Sequence, residues 1–125
     1  MRTANKVFLV CFLILAVMVT SGCISVKKFG QPISVRQTTA ITDILANPKS
    51  YDGKPVTIEG RVAEECSTGC WFYVQASAGN VSIYVDIEPA GLAIPQYRGK
   101  KVVVEGTVKV KEAGPIIQGK GVEVG

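Results

Sequence analysis

The sequence predicts an all-β domain: a five-stranded Greek-key barrel with one short N-terminal helix. Three observations predict it. From residue 55 onward, apolar residues recur at every second position in short runs bounded by glycine, proline and asparagine. The runs are rich in Val and Ile, more than an open sheet with one wet face would bury, and closing the sheet also removes its edges. A strand pattern with a central glycine occurs twice, at a constant offset of 46 residues.

In chain order, the helix comes first. Residues 38–47 set Ile41, Ile44 and Leu45 on one helical face, with Thr38 or Thr39 as N-cap and Pro48 as terminator. The first strand is Pro55–Glu65, carrying Val56, Ile58, Gly60 and Val62 on one face. Residues 70–76 make a dense second strand. After a turn at Ala78-Gly79-Asn80, Val81, Ile83, Val85 and Ile87 alternate with Ser82, Tyr84 and Asp86 in the third. The fourth repeats the parity of the first through Val102, Val104, Gly106, Val108 and Val110. Residues 116–124 form a weaker fifth strand, interrupted by Gly119 and Gly121.

The repeat is the most specific internal feature. Tyr51-x-Gly53-Lys54-x-Val56-x-Ile58-Glu59-Gly60-x-Val62 matches Tyr97-x-Gly99-Lys100-x-Val102-x-Val104-Glu105-Gly106-x-Val108 at eight positions. Gene duplication explains it, and so does geometry: a turn needs glycine before the strand, and a mid-strand glycine lets a strand coil tightly around a small barrel.

The chain has 125 residues, and residues 1–22 have the three zones of an export leader. Arg2 and Lys6 form a positive start, residues 7–19 are unbroken apolar, and Thr20-Ser21-Gly22 are small. The apolar run is short for a spanning helix, which needs about 20 residues. Removing the leader leaves 12 basic against 10 acidic residues, a net charge of +2 in place of +4. Gly22-Cys23 after such a run resembles the lipobox of prokaryotic lipoproteins. The resemblance implies that Cys23 is lipidated, by palmitate or a similar acyl chain, and becomes the new N-terminus on the extracytoplasmic face of the cell membrane. Thr20 departs from the aliphatic residue usual there, and an uncleaved signal anchor or soluble export is the alternative. Residues 23–37 then read as the lipidated cysteine and a flexible tether, with Lys27 and Lys28 as solvated linker charge, and residues 38–125 as the domain.

The helix ending near Pro48, the two Tyr-x-Gly-Lys turns, the glycine-centred strands and Ile83-Tyr84-Val85-Asp86-Ile87 together look like a stand-alone OB-fold domain. They are similar to small exported OB-fold proteins and to the tRNA-anticodon-binding-like OB group. Some exported members also carry a Cys-rich turn before an aromatic strand, like Cys66-Ser67-Thr68-Gly69-Cys70-Trp71 here. The resemblance covers nearly the whole mature chain and implies a binding module of unspecified ligand.

Cys66 and Cys70 are the two cysteines left in the domain. In an oxidising compartment they are expected to form a disulfide across the loop between the first two strands. A redox-active pair is the rival, against which stand the C-x₃-C spacing and the lack of a neighbouring His or Lys. Two thiolates without histidine are two ligands short of a metal site, so no metal or cofactor is expected. If Phe72, Val74, Ile83 and Val85 fill the barrel, Trp71, Tyr73 and Tyr84 lie on its outer face, where OB-folds commonly stack bases or sugars. The alternative makes Trp71 a packing residue and the tyrosines amphipathic surface.

Net charge +2, the acidic neighbours Glu64, Glu65, Asp86 and Glu88, and export argue against nucleic acid. Lys101, Lys109 and Lys111 share the outward parity of their strand and read as edge protection and solubility. Glu59 and Glu105, at equivalent places in the repeat, would repel rather than catalyse if opposed across the first and fourth strands, unless paired with Arg61 or Lys101. No nucleophile–base pair or phosphate loop is present, so no enzyme is expected. The expectation is a membrane-anchored, non-catalytic binding module for a protein or oligosaccharide. The alternatives are a single-stranded nucleic-acid-binding protein or a thiol–disulfide partner acting through Cys66 and Cys70.

Overall fold

A computed structural model describes residues 25–125; the leader and Cys23 lie outside the described residues. Period-2 alternation builds the barrel. The long strands β2 (Pro55–Glu65), β5 (Lys101–Lys111) and β6 (Gly114–Val124) join the short strands β3 (Trp71–Gln75) and β4 (Ser82–Asp86). Neighbours run β2-β3-β4-β6-β5, and β5 pairs back with β2, which closes the sheet. Every pair in this ring is antiparallel except β4 with β6. Inside lie Ile58, Val62, Phe72, Val74, Ile83, Val85, Val102, Val104, Val108 and Ile117, none more than 1% exposed. This is the expected five-stranded barrel.

The repeat becomes a local two-fold axis. In the β2–β5 ladder Val56 faces Gly106 while Gly60 faces Val102, with Ile58 opposite Val104 between them. The turns obey the same symmetry. Gly53 donates to Val108 O and Val108 to Lys54 O; in the other half Gly99 donates to Val62 O and Val62 to Lys100 O. Each turn therefore clamps the far end of the partner strand. The central glycines mark places where backbones cross closely: a Cβ at Gly60 would lie 2.1 Å from Gln75 O, and one at Gly106 2.3 Å from Gln118 O. Glu59 and Glu105 do not meet, because the register sets Glu59 against Val103 and Glu105 against Thr57.

The segment expected to be a flexible tether is docked. Strand β1 (Lys27–Gly30) pairs antiparallel with the C-terminal half of β6, Lys27 to Val124 and Gly30 to Gly121. Phe29 packs on Tyr97, ring centroids 6.0 Å apart. Further on, Ile33 is buried, and both Ser34 N–H (2.6 Å) and Ser34 Oγ (2.7 Å) donate to the Glu105 carboxylate. Arg36 grips Glu123 with two nitrogens, at 2.8 and 3.0 Å. These bonds hold both carboxyls below the usual carboxylate range, Glu105 chiefly through Ser34 and Glu123 chiefly through Arg36. Exposed ion pairs contribute at most about 1 kcal/mol, so backbone pairing and the apolar contacts carry most of the docking.

Helix α1 (Ile41–Ala46) has Ala40 at its N-cap and no side-chain cap, because alanine has no side-chain oxygen to accept; Thr39, one residue earlier, donates its backbone N–H to Thr57 O. Helix α1 ends just before Pro48, as expected, and Pro48 then opens a second turn, α2 (Pro48–Tyr51), at the first helical position, where its missing N–H costs nothing. Ile41 and Ile44 of α1 enter the core. Nor is β5 an edge, since it has a neighbour on each side; Lys101 and Lys111 are surface charge on a closed wall. Among the described residues no helix is long and apolar enough to cross a membrane.

Candidate functional site

The parity that sends Phe72, Val74, Ile83 and Val85 inward sends Trp71, Tyr73 and Tyr84 outward, and register brings the three together. Tyr73 sits directly opposite Tyr84, and Trp71 opposite Asp86. Trp71 stacks on Tyr84 (centroids 5.5 Å, interplanar angle 29°), and Tyr73 stands edge-on to both, at 5.9 Å from Trp71 and 5.3 Å from Tyr84. All three are half-buried. The row continues across the parallel β4–β6 pair, where Tyr84 faces Ile116 and Ile116 faces Lys109. Burial and then the Asp86 carboxylate push the Tyr84 phenol up, so it stays a hydrogen-bond donor at neutral pH.

A cleft of about 340 Å³ opens beside the tyrosines. Leu45 of α1, Ser82, and residues 113–116 of the β5–β6 hairpin complete its walls. Sequence reasoning missed these walls. Leu45 was legible only as one residue of a helical face, and the hairpin meets β4 through a parallel pairing that period-2 alternation does not reveal.

The other side of the patch is the loop of residues 66–70, directly before Trp71. Its shape comes from backbone bonds: Gly69 N–H to Cys66 O (2.9 Å), Cys66 N–H to Trp71 O (2.9 Å) and Ile87 N–H to Cys70 O (3.2 Å). Gly69 adopts φ +75° and lies so close to Ile94 that a Cβ would stand 1.9 Å from Ile94 O. The connector after β4 braces the loop, with Gln96 Nε2 donating to Cys66 O at 2.9 Å and Ile94 N–H to Gly69 O at 3.1 Å. Glu65 ties the same connector to β2 by accepting from Tyr97 N–H (2.7 Å) and Arg98 N–H (3.0 Å).

The sulfurs of Cys66 and Cys70, the pair expected to form a disulfide, lie side by side, 2.7 Å apart. Thr68 Oγ1 lies 3.1 Å from Cys66 Sγ and 3.6 Å from Cys70 Sγ. Hydrogen bonds from Cys70, and then from Thr68, lower the Cys66 thiol to about 6, while the same Cys66 contact raises Cys70. The Cys70 thiol first, and the Thr68 hydroxyl second, thus do what a His or Lys would do beside Cys66. Among the described residues no three His, Cys, Asp or Glu side chains gather as a metal site.

The barrel can now be set beside known structures. It is similar to the hypothetical protein YgiW from E. coli, with TM-score 0.54, 19% identity, and coverage of 78% of this chain and 97% of that one. It is equally similar to asparaginyl-tRNA synthetase from Pyrococcus horikoshii complexed with asparaginyl-adenylate (TM-score 0.54, 24% identity). That match covers 72% of this chain but only 22% of the synthetase. The fold is an OB-fold. At these identities the likeness fixes the architecture alone. No protein-family model matches the chain, and no curated protein sequence does.

Proposed function

We propose that this protein is a non-catalytic OB-fold binding module, held by a lipid on Cys23 at the extracytoplasmic face of the membrane, that stacks an oligosaccharide on Trp71, Tyr73 and Tyr84. The observation that carries the reading is the gathering of three aromatic rings, each within 6 Å of the other two, on the outer face of β3 and β4. Asp86 lies opposite Trp71 in the ladder, where a carboxylate accepts sugar hydroxyls and repels phosphates. The adjoining cleft has room for a ring or a short branch. Single-stranded nucleic acid is the rival ligand, and salt separates the two.

Trp71 is the only tryptophan in the chain, so intrinsic emission reports on the platform directly. Titration with a panel of β-linked hexose and N-acetylhexosamine oligosaccharides is expected to change that emission saturably, with an affinity nearly independent of salt. A response confined to oligonucleotides and falling steeply with salt supports the rival; no response to either class contradicts the platform.

Support for anchoring comes from the leader and from β1. Only three residues separate Cys23 from Lys27, so β1 starts within about 14 Å of the Cys23 Cα at full extension. Lys27 and Lys28 on β1 are exposed beside that exit. Each lysine at an anionic surface adds about 1 kcal/mol of attraction. Metabolic labelling with a fatty-acid analogue is expected to mark the wild type and not Cys23→Ala. An unlabelled wild type refutes the anchor.

A further inference from the structure

The shape of the loop of residues 66–70 rests on bonds other than one between its sulfurs. Its own backbone turn, the Gln96 brace, the Ile94 contact and the Ile87 bond hold it without the sulfurs taking part. A bond between residues four apart closes a very short ring and removes little chain entropy. A structural staple here would duplicate work already done. The sulfurs lie side by side, 2.7 Å apart and half-exposed, so a bond between them can form and open with the loop in place.

We propose that Cys66 and Cys70 form an exchangeable dithiol–disulfide couple, with Cys66 the attacking sulfur, that passes two electrons to a disulfide of a partner protein or accepts them from its dithiol. The two cysteines are not equivalent. Cys66 Sγ accepts from the Cys70 thiol and lies within reach of the Thr68 hydroxyl, so negative charge settles there. Its lowered value, about 6, makes it largely thiolate at neutral pH, whereas Cys70 keeps its proton.

In the oxidising direction the Cys66 thiolate attacks one sulfur of the partner's disulfide. The partner's S–S bond breaks, one partner thiolate leaves, and a mixed disulfide to Cys66 forms. Cys70 then loses its proton to water and attacks the Cys66 sulfur. The mixed bond breaks, the second partner thiolate leaves, and the bond between Cys66 and Cys70 forms. The protein gives up two electrons and the partner's disulfide becomes two thiols; of the two protons the partner takes up, one balances that released by Cys70 and the other comes from solvent, because Cys66 enters as the thiolate. The reverse sequence reduces the couple. This activity does not depend on what stacks on the aromatic platform.

The test uses the full chain in detergent, equilibrated with mixtures of reduced and oxidised glutathione and quenched by alkylation. The fraction of Cys66/Cys70 peptide carrying two alkyl groups is expected to pass through one half within the accessible mixtures. A pair still fully oxidised in the most reducing mixture overturns the proposal. Cys70→Ser is expected to trap a single glutathione on Cys66, and to form it about ten times faster at pH 7 than Cys66→Ser forms one on Cys70. Equal rates overturn the assignment of Cys66. The alkylation rate of Cys66 is expected to rise through a midpoint near pH 6, to move to higher pH in Thr68→Val, and to return in Thr68→Ser. A midpoint above pH 8 in the wild type contradicts the role of the hydroxyl.

Discussion

Gly106→Ala is expected to lower the midpoint of thermal unfolding by about 10–20 °C, from an overpacking cost of about 2–3 kcal/mol and about 4–8 °C per kcal/mol for a domain this size. The added methyl has nowhere to go. It would stand 2.3 Å from Gln118 O, 2.8 Å from Gln118 C and 2.8 Å from Ile117 Cγ2. Two of these are backbone atoms of β6, and the β5–β6 register already shifts between Glu105 and Gly106. Relief therefore means moving one strand away from the other where the barrel bends. Gly60→Ala is expected to cost as much, since it meets Gln75 O in the same way. A midpoint within about 5 °C of wild type, measured by circular dichroism, contradicts the view that close backbone crossing selects glycine there.

Those glycines also show what the sequence could convey. Their spacing, and the alternation of Val and Ile on either side, announced two strands of one kind, and the barrel follows from that alternation. The two-fold axis relating them was not legible, because a repeat read along the chain does not say which residue faces which. Strand β1 was hidden for a different reason. Lys27–Gly30 contains a single large apolar residue, Phe29, and four residues cannot display a period. What holds the segment is backbone pairing to β6, together with the Glu105 and Glu123 carboxylates some 70 and 87 residues away in sequence. The aromatic face was legible from parity alone, since Trp71, Tyr73 and Tyr84 all fall on the side opposite the core. Their contact with one another needed the β3–β4 register, and Thr68 needed the loop to fold back on itself.

Trp71→Ala is expected to weaken ligand binding about 10- to 100-fold, from about 1–3 kcal/mol per stacked ring. Tyr84→Ala should fall in the same range, because Tyr84 is the ring on which Trp71 stacks and the centre of the row from Tyr73 to Ile116. The rings also stabilise one another, by about 0.5–1.5 kcal/mol per aromatic pair, so some loss of stability accompanies each change. That loss leaves the core untouched, since Phe72, Val74, Ile83 and Val85 fill the barrel without these rings.

The central claim is that the outer face of β3 and β4 is the surface this protein uses. Calorimetric titration of the oligosaccharide that perturbs Trp71 emission, into wild type, Trp71→Ala, Tyr84→Ala and Lys101→Ala, tests it most directly. The account predicts a 10- to 100-fold loss in the first two variants and wild-type affinity in Lys101→Ala, which alters the exposed end of β5. Unchanged affinity in folded Trp71→Ala and Tyr84→Ala would contradict it.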